Sequence, residues 1–152
     1  MKLALVVLNY NDADNTLKVL GNTANYDVFD KVIVVDNASN DDSRIRLKSY
    51  CEDNEKIYFV ENHENKGYGA GNNIGIFVAK KLGMDLALIA NPDTDFEERV
   101  IKVLKSAMEK NENIGICAPL VETNDVYGGR ENVLKGASCW PMRDFMHSLV
   151  EN

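Results

Sequence analysis

Short apolar runs alternate with longer stretches of helical periodicity along this chain. The apolar runs fall at residues 3–8, 31–35, 57–60, 86–90 and 113–118. Most of their residues are β-branched or aliphatic and do not alternate with polar ones. That pattern predicts strands buried on both faces of a parallel sheet. Between them, residues 14–24 carry Leu17, Leu20 and Ala24 at helical spacing, and 41–52 carry Leu47, Tyr50 and Cys51. Residues 71–82 bring Ile74, Phe77 and Val78 together, and 97–110 do the same for Val100, Val103, Leu104, Ala107 and Met108. Asn40 or Asp41 is expected to cap the second helix and Asp95 the fourth. The order βαβαβαβαβ predicts an α/β fold with a mainly parallel sheet flanked by helices and right-handed crossovers. After Pro119 the pattern weakens. Residues 123–131 read as a loop, 133–140 as a further strand and 143–150 as a short terminal helix.

Composition and charge narrow the picture. At 152 residues, with 45% apolar and 27% charged, the balance is that of a globular domain and not of a disordered or disulfide-scaffold chain. A net charge of -7 disfavours nucleic-acid binding, because phosphate backbones are repelled. A small phosphate ligand remains compatible when a metal ion bridges it to acidic groups. Cys51, Cys117 and Cys139 are far apart in sequence, which predicts buried free thiols in a reducing compartment. The run at 3–8 is too short for a signal peptide, and no stretch approaches the ~20 apolar residues of a membrane span. A cytoplasmic protein is expected, working as far out as the inner face of the membrane. An apolar face left open by so short a sheet would be covered in a homodimer.

In open α/β sheets, ligands bind outside the carboxyl ends of the strands. Every such end here is dense in Asn, Asp and Gly. The first strand is followed by Asn9-Tyr10-Asn11-Asp12 and the second by Asp36-Asn37-Ala38-Ser39-Asn40-Asp41-Asp42-Ser43. The third leads into Lys66-Gly67-Tyr68-Gly69-Ala70-Gly71-Asn72-Asn73, and the fourth into Asn91-Pro92-Asp93-Thr94-Asp95. Turns and helix caps favour these residues in any protein, but four such loops converge on one sheet edge. The first loop lacks G-x-G-x-x-G, which excludes a dinucleotide-binding fingerprint, and no P-loop or zinc-spaced His/Cys set exists. His63 and His147 stand alone, as surface residues do. The three glycines around Tyr68 permit tight backbone and close ligand approach. They open a helix whose N-terminus attracts anions, with Lys66 adding positive charge. Asp93, with Asp95 or Asn91, offers hard oxygen ligands suited to Mg²⁺ or Mn²⁺ shared with substrate phosphates.

In series, residues 6–11 (VVLNYN), 32–43 (VIVVDNASNDDS), 64–76 (ENKGYGAGNNIGI) and 89–96 (IANPDTDF) resemble the nucleotide-binding half of family 2 glycosyltransferases, of GT-A fold. The resemblance covers residues 1–120 and continues weakly through 135–143. It implies two regions, a nucleotide-sugar-binding domain at 1–120 and the incomplete start of an acceptor-side region at 121–152, so the chain is expected to be truncated. It further implies that Asn9, Tyr10 and Asn11 bind the donor, with Tyr10 flanking the nucleotide base. Asp36 would bond base or ribose, with Asn37 and Ser39 shaping that loop. Lys66, Gly67, Gly69 and Asn72 would line the donor pocket. The family's D-x-D metal motif aligns with Asn91-Pro92-Asp93. Asn91 replaces the first acid, a variant that resembles the rhamnosyltransferase-like branch, and Asp93-Thr94-Asp95 is the literal motif in a shifted register. The implied activity is inverting, metal-dependent transfer from a UDP- or dTDP-sugar to a glycan or lipid-linked acceptor, as in polysaccharide biosynthesis. The family's catalytic Asp lies in an E-D type segment downstream, and residues 111–152 hold no counterpart, leaving the catalytic base unknown. Two rivals follow: a non-catalytic nucleotide-sugar-binding module, and a nucleotidyltransferase, whose glycine-rich loop would have to follow the first strand.

Overall fold

A computed structural model describes residues 1–119 and the backbone of 137–141. By packing, the chain divides into two compact units, Met1–Asp95 and Phe96–Asn152. That division is one of contact density, and a functional boundary near residue 120 stays a proposal.

The first unit holds strands β1 (Leu3–Asn9), β2 (Lys31–Asn37), β3 (Ile57–Asn62) and β4 (Leu86–Ala90) in one parallel sheet of order β3-β2-β1-β4. Helices α1 (Ala13–Thr23), α2 (Ser43–Glu52) and α3 (Tyr68–Lys81) connect them. The chain steps outward from β1 to β3, then α3 carries it back to the far side of β1. The strand order therefore reverses between β1 and β4, and their carboxyl ends flank the place where ligands bind in such sheets.

Every residue of β1 is buried, as are all but the first of β2. Ala4, Val6, Leu8, Ile33 and Val35 face α3 and pack with Ala79, Ile74, Val78 and Leu82. The alternate residues, among them Leu5, Val7, Val32 and Val34, point to the opposite face, where α1 packs on β1 and α2 on β2. Burial on both faces holds for these two central strands only. β3 and β4 are half-exposed despite their apolar sequences, because they form the edges of this sheet.

Two glycines set how closely α3 lies on the sheet. A Cβ at Gly75 would stand 2.3 Å from Val6 Cγ1, and one at Gly71 would stand 2.6 Å from Leu8 Cδ1. Being four residues apart, they share the sheet-facing side of the helix.

The second unit contains α4 (Glu98–Lys110), β5 (Ile114–Pro119) and β6 (Ala137–Pro141). Ile101 and Leu104 of α4 are buried, and the helix packs on β5. The expected fifth strand of the parallel sheet is instead half of a separate antiparallel pair, β5-β6. Length and apolarity cannot tell these alternatives apart, since both present a short half-buried run. β6 realises part of the strand expected at 133–140. The loop expected at 123–131 and the helix at 143–150 lie outside the described residues. Cys117 is disulfide-bonded, against the expectation of three free thiols, and Cys139 is opposite it in the β5-β6 register. Cys51 is a buried free thiol, and burial pushes its pKa up to about 11.

Two cap expectations also fail. The residue preceding α2 is Asp42 and the one preceding α4 is Glu97, and neither side chain caps its helix. Asp41 instead binds Ser43, one position too early to be the cap. The Ser43 side chain and then its backbone N–H hold the Asp41 carboxyl below its ordinary range.

Candidate donor site

The carboxyl ends of β1 and β2 are joined by a closed network of polar side chains. Asn9, at the end of β1, donates through Nδ2 to Asp36 Oδ1 at 2.9 Å and to Ser39 Oγ at 3.0 Å. Its Oδ1 accepts from Thr16 Oγ1 of α1 at 2.8 Å. Asp36, at the end of β2, also accepts from the Ser39 hydroxyl at 2.6 Å and, through Oδ2, from the Ser39 N–H at 3.1 Å. The Asn11 N–H reaches Ser39 Oγ at 2.9 Å, and Asn11 Oδ1 accepts from the Asn40 N–H at 2.9 Å. Asn9 and Asp36 are both 0% exposed. Buried polar groups of this kind are stable only when paired, and here each has partners.

This arrangement sorts the expected donor residues. Asp36 is enclosed by Asn9 and Ser39, so its carboxylate fixes the loop. Ala38 lies between the two ends of that clamp at φ +62°, a left-handed conformation costly for a side chain with a Cβ. The Asp36–Ser39 bonds span and hold it. Asn11 is also left-handed, at φ +53°, where asparagine is tolerated. Tyr10, flanked by these fixed residues, is 47% exposed and presents an open ring.

A second chain of amides continues across the sheet edge. Asn62 Nδ2, at the end of β3, donates to Asn37 Oδ1 at 2.9 Å and to the Glu64 carbonyl at 2.6 Å. Asn37 Nδ2 donates to Asn65 Oδ1 at 3.0 Å, which also accepts from the Gly67 N–H at 2.9 Å. Gly67 has φ +93° and is the residue preceding α3.

The three glycines near Tyr68 therefore do different work. Gly67 permits the turn, Gly71 permits close packing against Leu8 and Asn37, and Gly69 has open space around it. α3 begins at Tyr68, three residues before its expected start. No side chain caps it, which leaves the first amides of an exposed N-terminal turn oriented outward. Such a turn attracts anions. Lys66 beside it is exposed and paired with Glu64 at 3.1 Å, so its charge is shared. Asn72 is 4% exposed; its Nδ2 bonds the Tyr68 carbonyl, while its Oδ1 has no partner.

The loop after β4 joins the same corner. The Tyr68 hydroxyl donates to Asn91 Oδ1 at 2.6 Å. The Asn91 carbonyl accepts from the Thr94 hydroxyl and N–H at 2.5 and 3.1 Å, which closes a turn around Pro92 and Asp93. Asp93 and Asp95 are exposed, and they line a cavity of about 100 Å³ with Asn15, Lys18 and Asn22 of α1. Among the described residues no three acidic, His or Cys side chains gather into a metal cage. Two exposed carboxylates two residues apart suit a hard cation that keeps water and substrate oxygens as its other ligands.

Thr16, Asn62 and Asn65 are participants that sequence reasoning missed, and it placed Tyr68 in the donor loop without a role of its own. Thr16 shares helical spacing with Val19, Leu20 and Thr23 on the buried side of α1, and a polar residue on that face was the one signal available. Among the described residues no helix is long and apolar enough to cross a membrane.

The family described as Glycosyl transferase family 2 matches residues 4–147. The chain is 25% identical over 120 residues to a low-salt glycan biosynthesis hexosyltransferase of Haloferax volcanii, covering 78% of this chain and 36% of that protein. It is 29% identical over 137 residues to an uncharacterized glycosyltransferase of Methanocaldococcus jannaschii, covering 88% and 45%. The chain thus spans less than half the length of the relatives it matches. A mannosyltransferase of Pyrobaculum calidifontis, solved in complex with GDP-Man and Mn²⁺, superposes with a TM-score of 0.65 at 20% identity, over 75% of this chain and 34% of that one. S. aureus TarS 1-349 superposes at 0.63 with 18% identity, over 86% and 38%. The fold is of GT-A type, and the chain belongs to glycosyl transferase family 2.

Proposed function

We propose that this chain forms the donor-binding part of a metal-dependent, inverting glycosyltransferase that uses a UDP- or dTDP-sugar and serves a glycan or lipid-linked acceptor. The observation that carries this reading is the Tyr68–Asn91 hydrogen bond. It ties the exposed N-terminal turn of α3 to the acidic loop after β4, at the edge where the strand order reverses. An anion-attracting turn beside paired carboxylates suits a nucleotide diphosphate held with a cation. In this reading the Tyr10 ring stacks on the base, Asn37 and Ser39 shape the loop beside the nucleoside, and the amides of Gly69 and Ala70 take the diphosphate. Asn72, buried in the first turn of α3, backs the same pocket, with Gly67 shaping the turn and Lys66 at its rim. Asp93, with Asp95 or Asn91, would hold the Mg²⁺ or Mn²⁺. That cation, when bound, neutralises the charge that develops on the departing diphosphate. The acceptor oxygen attacks the anomeric carbon as the bond to the diphosphate breaks, and its proton passes to a base outside the residues assigned here. The protein names of the relatives support this reading: one is a hexosyltransferase, and structural neighbours were solved with GDP-Man and Mn²⁺ and with UDP.

The test is a thermal-shift panel of UDP, dTDP and GDP and their common sugars, with and without Mn²⁺ or Mg²⁺. A ligand that binds the native state raises the melting temperature. A metal-dependent shift with one nucleotide is expected. No shift with any member overturns the donor site, and a shift without sugar transfer or donor hydrolysis favours the binding-module reading.

A further inference from the structure

The hydrogen bonds among Asn37, Asn62 and Asn65 have a direction, and one backbone group sets it. A carboxamide can present either its oxygen or its NH₂ to a neighbour. The Gly67 N–H, however, can only donate. It meets the Asn65 side chain at 2.9 Å, so Asn65 must turn its oxygen there. The same oxygen lies 3.0 Å from Asn37, so Asn37 must present its NH₂. That leaves the Asn37 oxygen toward Asn62, which must present its own NH₂. The Glu64 carbonyl, which can only accept, fixes the Asn62 end in the same sense. Three side-chain orientations are thus locked between two backbone groups of one short loop. Asn37 itself is 2% exposed and packs against Gly71, so it has no room to adopt the reverse arrangement by moving away.

We propose that Asn65 is a positioning residue that acts in two directions. It holds the positive-φ turn at Gly67 that opens α3, and it dictates the hydrogen-bonding sense of the buried Asn37 side chain that supports the proposed ligand loop. Asn65 touches no reacting atom. The inference rests on the donor-binding reading for its ligand, and on the hydrogen bonds alone for its structural half.

Both bonds made by the Asn65 side chain enter its oxygen, so an aspartate accepts both and an alanine accepts neither. The experiment compares Asn65→Asp and Asn65→Ala with the wild-type chain, by titration with UDP, dTDP and GDP in the presence of Mn²⁺. NMR of the Gly67 amide and the Asn37 carboxamide is recorded without nucleotide. The alanine variant is expected to lose about tenfold in nucleotide affinity, the scale of one to two lost hydrogen bonds. Its Gly67 and Asn37 signals move toward unbonded shifts. The aspartate variant keeps affinity within about threefold, and its Gly67 proton moves further downfield because its acceptor is charged. A residue that only packed would change the melting temperature of both variants and leave these signals in place. Wild-type affinity in the alanine variant, or equal impairment in both, overturns the proposal. If the wild-type chain binds none of the nucleotides, the donor reading fails. The Gly67 and Asn37 signals then still decide the positioning claim, which falls if alanine leaves them unchanged.

Discussion

The loops after β1 and β2 and the loop after β4 have similar compositions and opposite physics. In the first pair, Asn9 and Asp36 are wholly buried and bond one another, Ser39 and Thr16. In the second, Asn91, Asp93, Thr94 and Asp95 are all exposed, and the loop closes on itself and on one tyrosine. An enclosed carboxylate with its donors in place is part of the scaffold. An exposed pair of carboxylates is available to a cation. Asn- and Asp-rich sequence thus forms a buried frame in one place and, in the proposed reading, the cation's ligands in the other.

Four substitutions break or sharpen this contrast, taken by the stability each removes. Asp36→Ala strips acceptors from Asn9 and Ser39 inside the protein. It should cost about 3 kcal/mol in denaturant unfolding, at the upper end for buried groups left unpaired. Gly75→Ala drives a methyl group into Val6 of the central strand and should cost about 2 kcal/mol by the same measurement, the range of overpacked cores. Tyr68→Phe removes the bond to Asn91 at the surface. A loss of about 0.5 kcal/mol is expected, together with a weaker metal-dependent thermal shift, since the loop after β4 loses its tie to α3. Asp93→Ala should change stability by less than about 0.5 kcal/mol, as surface substitutions do, while abolishing metal-dependent nucleotide binding in calorimetry. If Asp93→Ala unfolds the protein and Asp36→Ala does not, the assignment of scaffold and ligand is reversed. Cys51 provides a control. With its thiol pushed up to about 11 by burial, it should resist alkylation at pH 8 until the chain is denatured.

Much of this was legible in advance. The strands and helices of the first unit follow their apolar runs and helical spacing to within a few residues, because both periodicities are local properties of the sequence. The four polar loops were identified from their place after the strands. Asp36, however, reads in sequence as a ligand, and only its surroundings show it enclosed. Glycine at 71 reads as room for a ligand, whereas the structure uses it to seat α3 against Leu8 and Asn37. β5 departs from the expected sheet because it pairs antiparallel with β6, the next strand of the chain, and a short apolar run does not by itself choose its partner.

The chain's own pattern of apolar and polar residues determined the α/β class, the parallel pairing of its first strands and the sheet edge where its polar loops gather. These depend on local periodicity and on rules of chain connection that hold for any sequence of this kind. Tertiary structure alone decided which carboxylate is buried and which is free, which glycine turns the chain and which admits a helix. It also decided how three asparagines share one hydrogen-bond direction. Those outcomes depend on which distant groups meet, since a polar side chain becomes frame or ligand according to whether protein or water completes its hydrogen bonds.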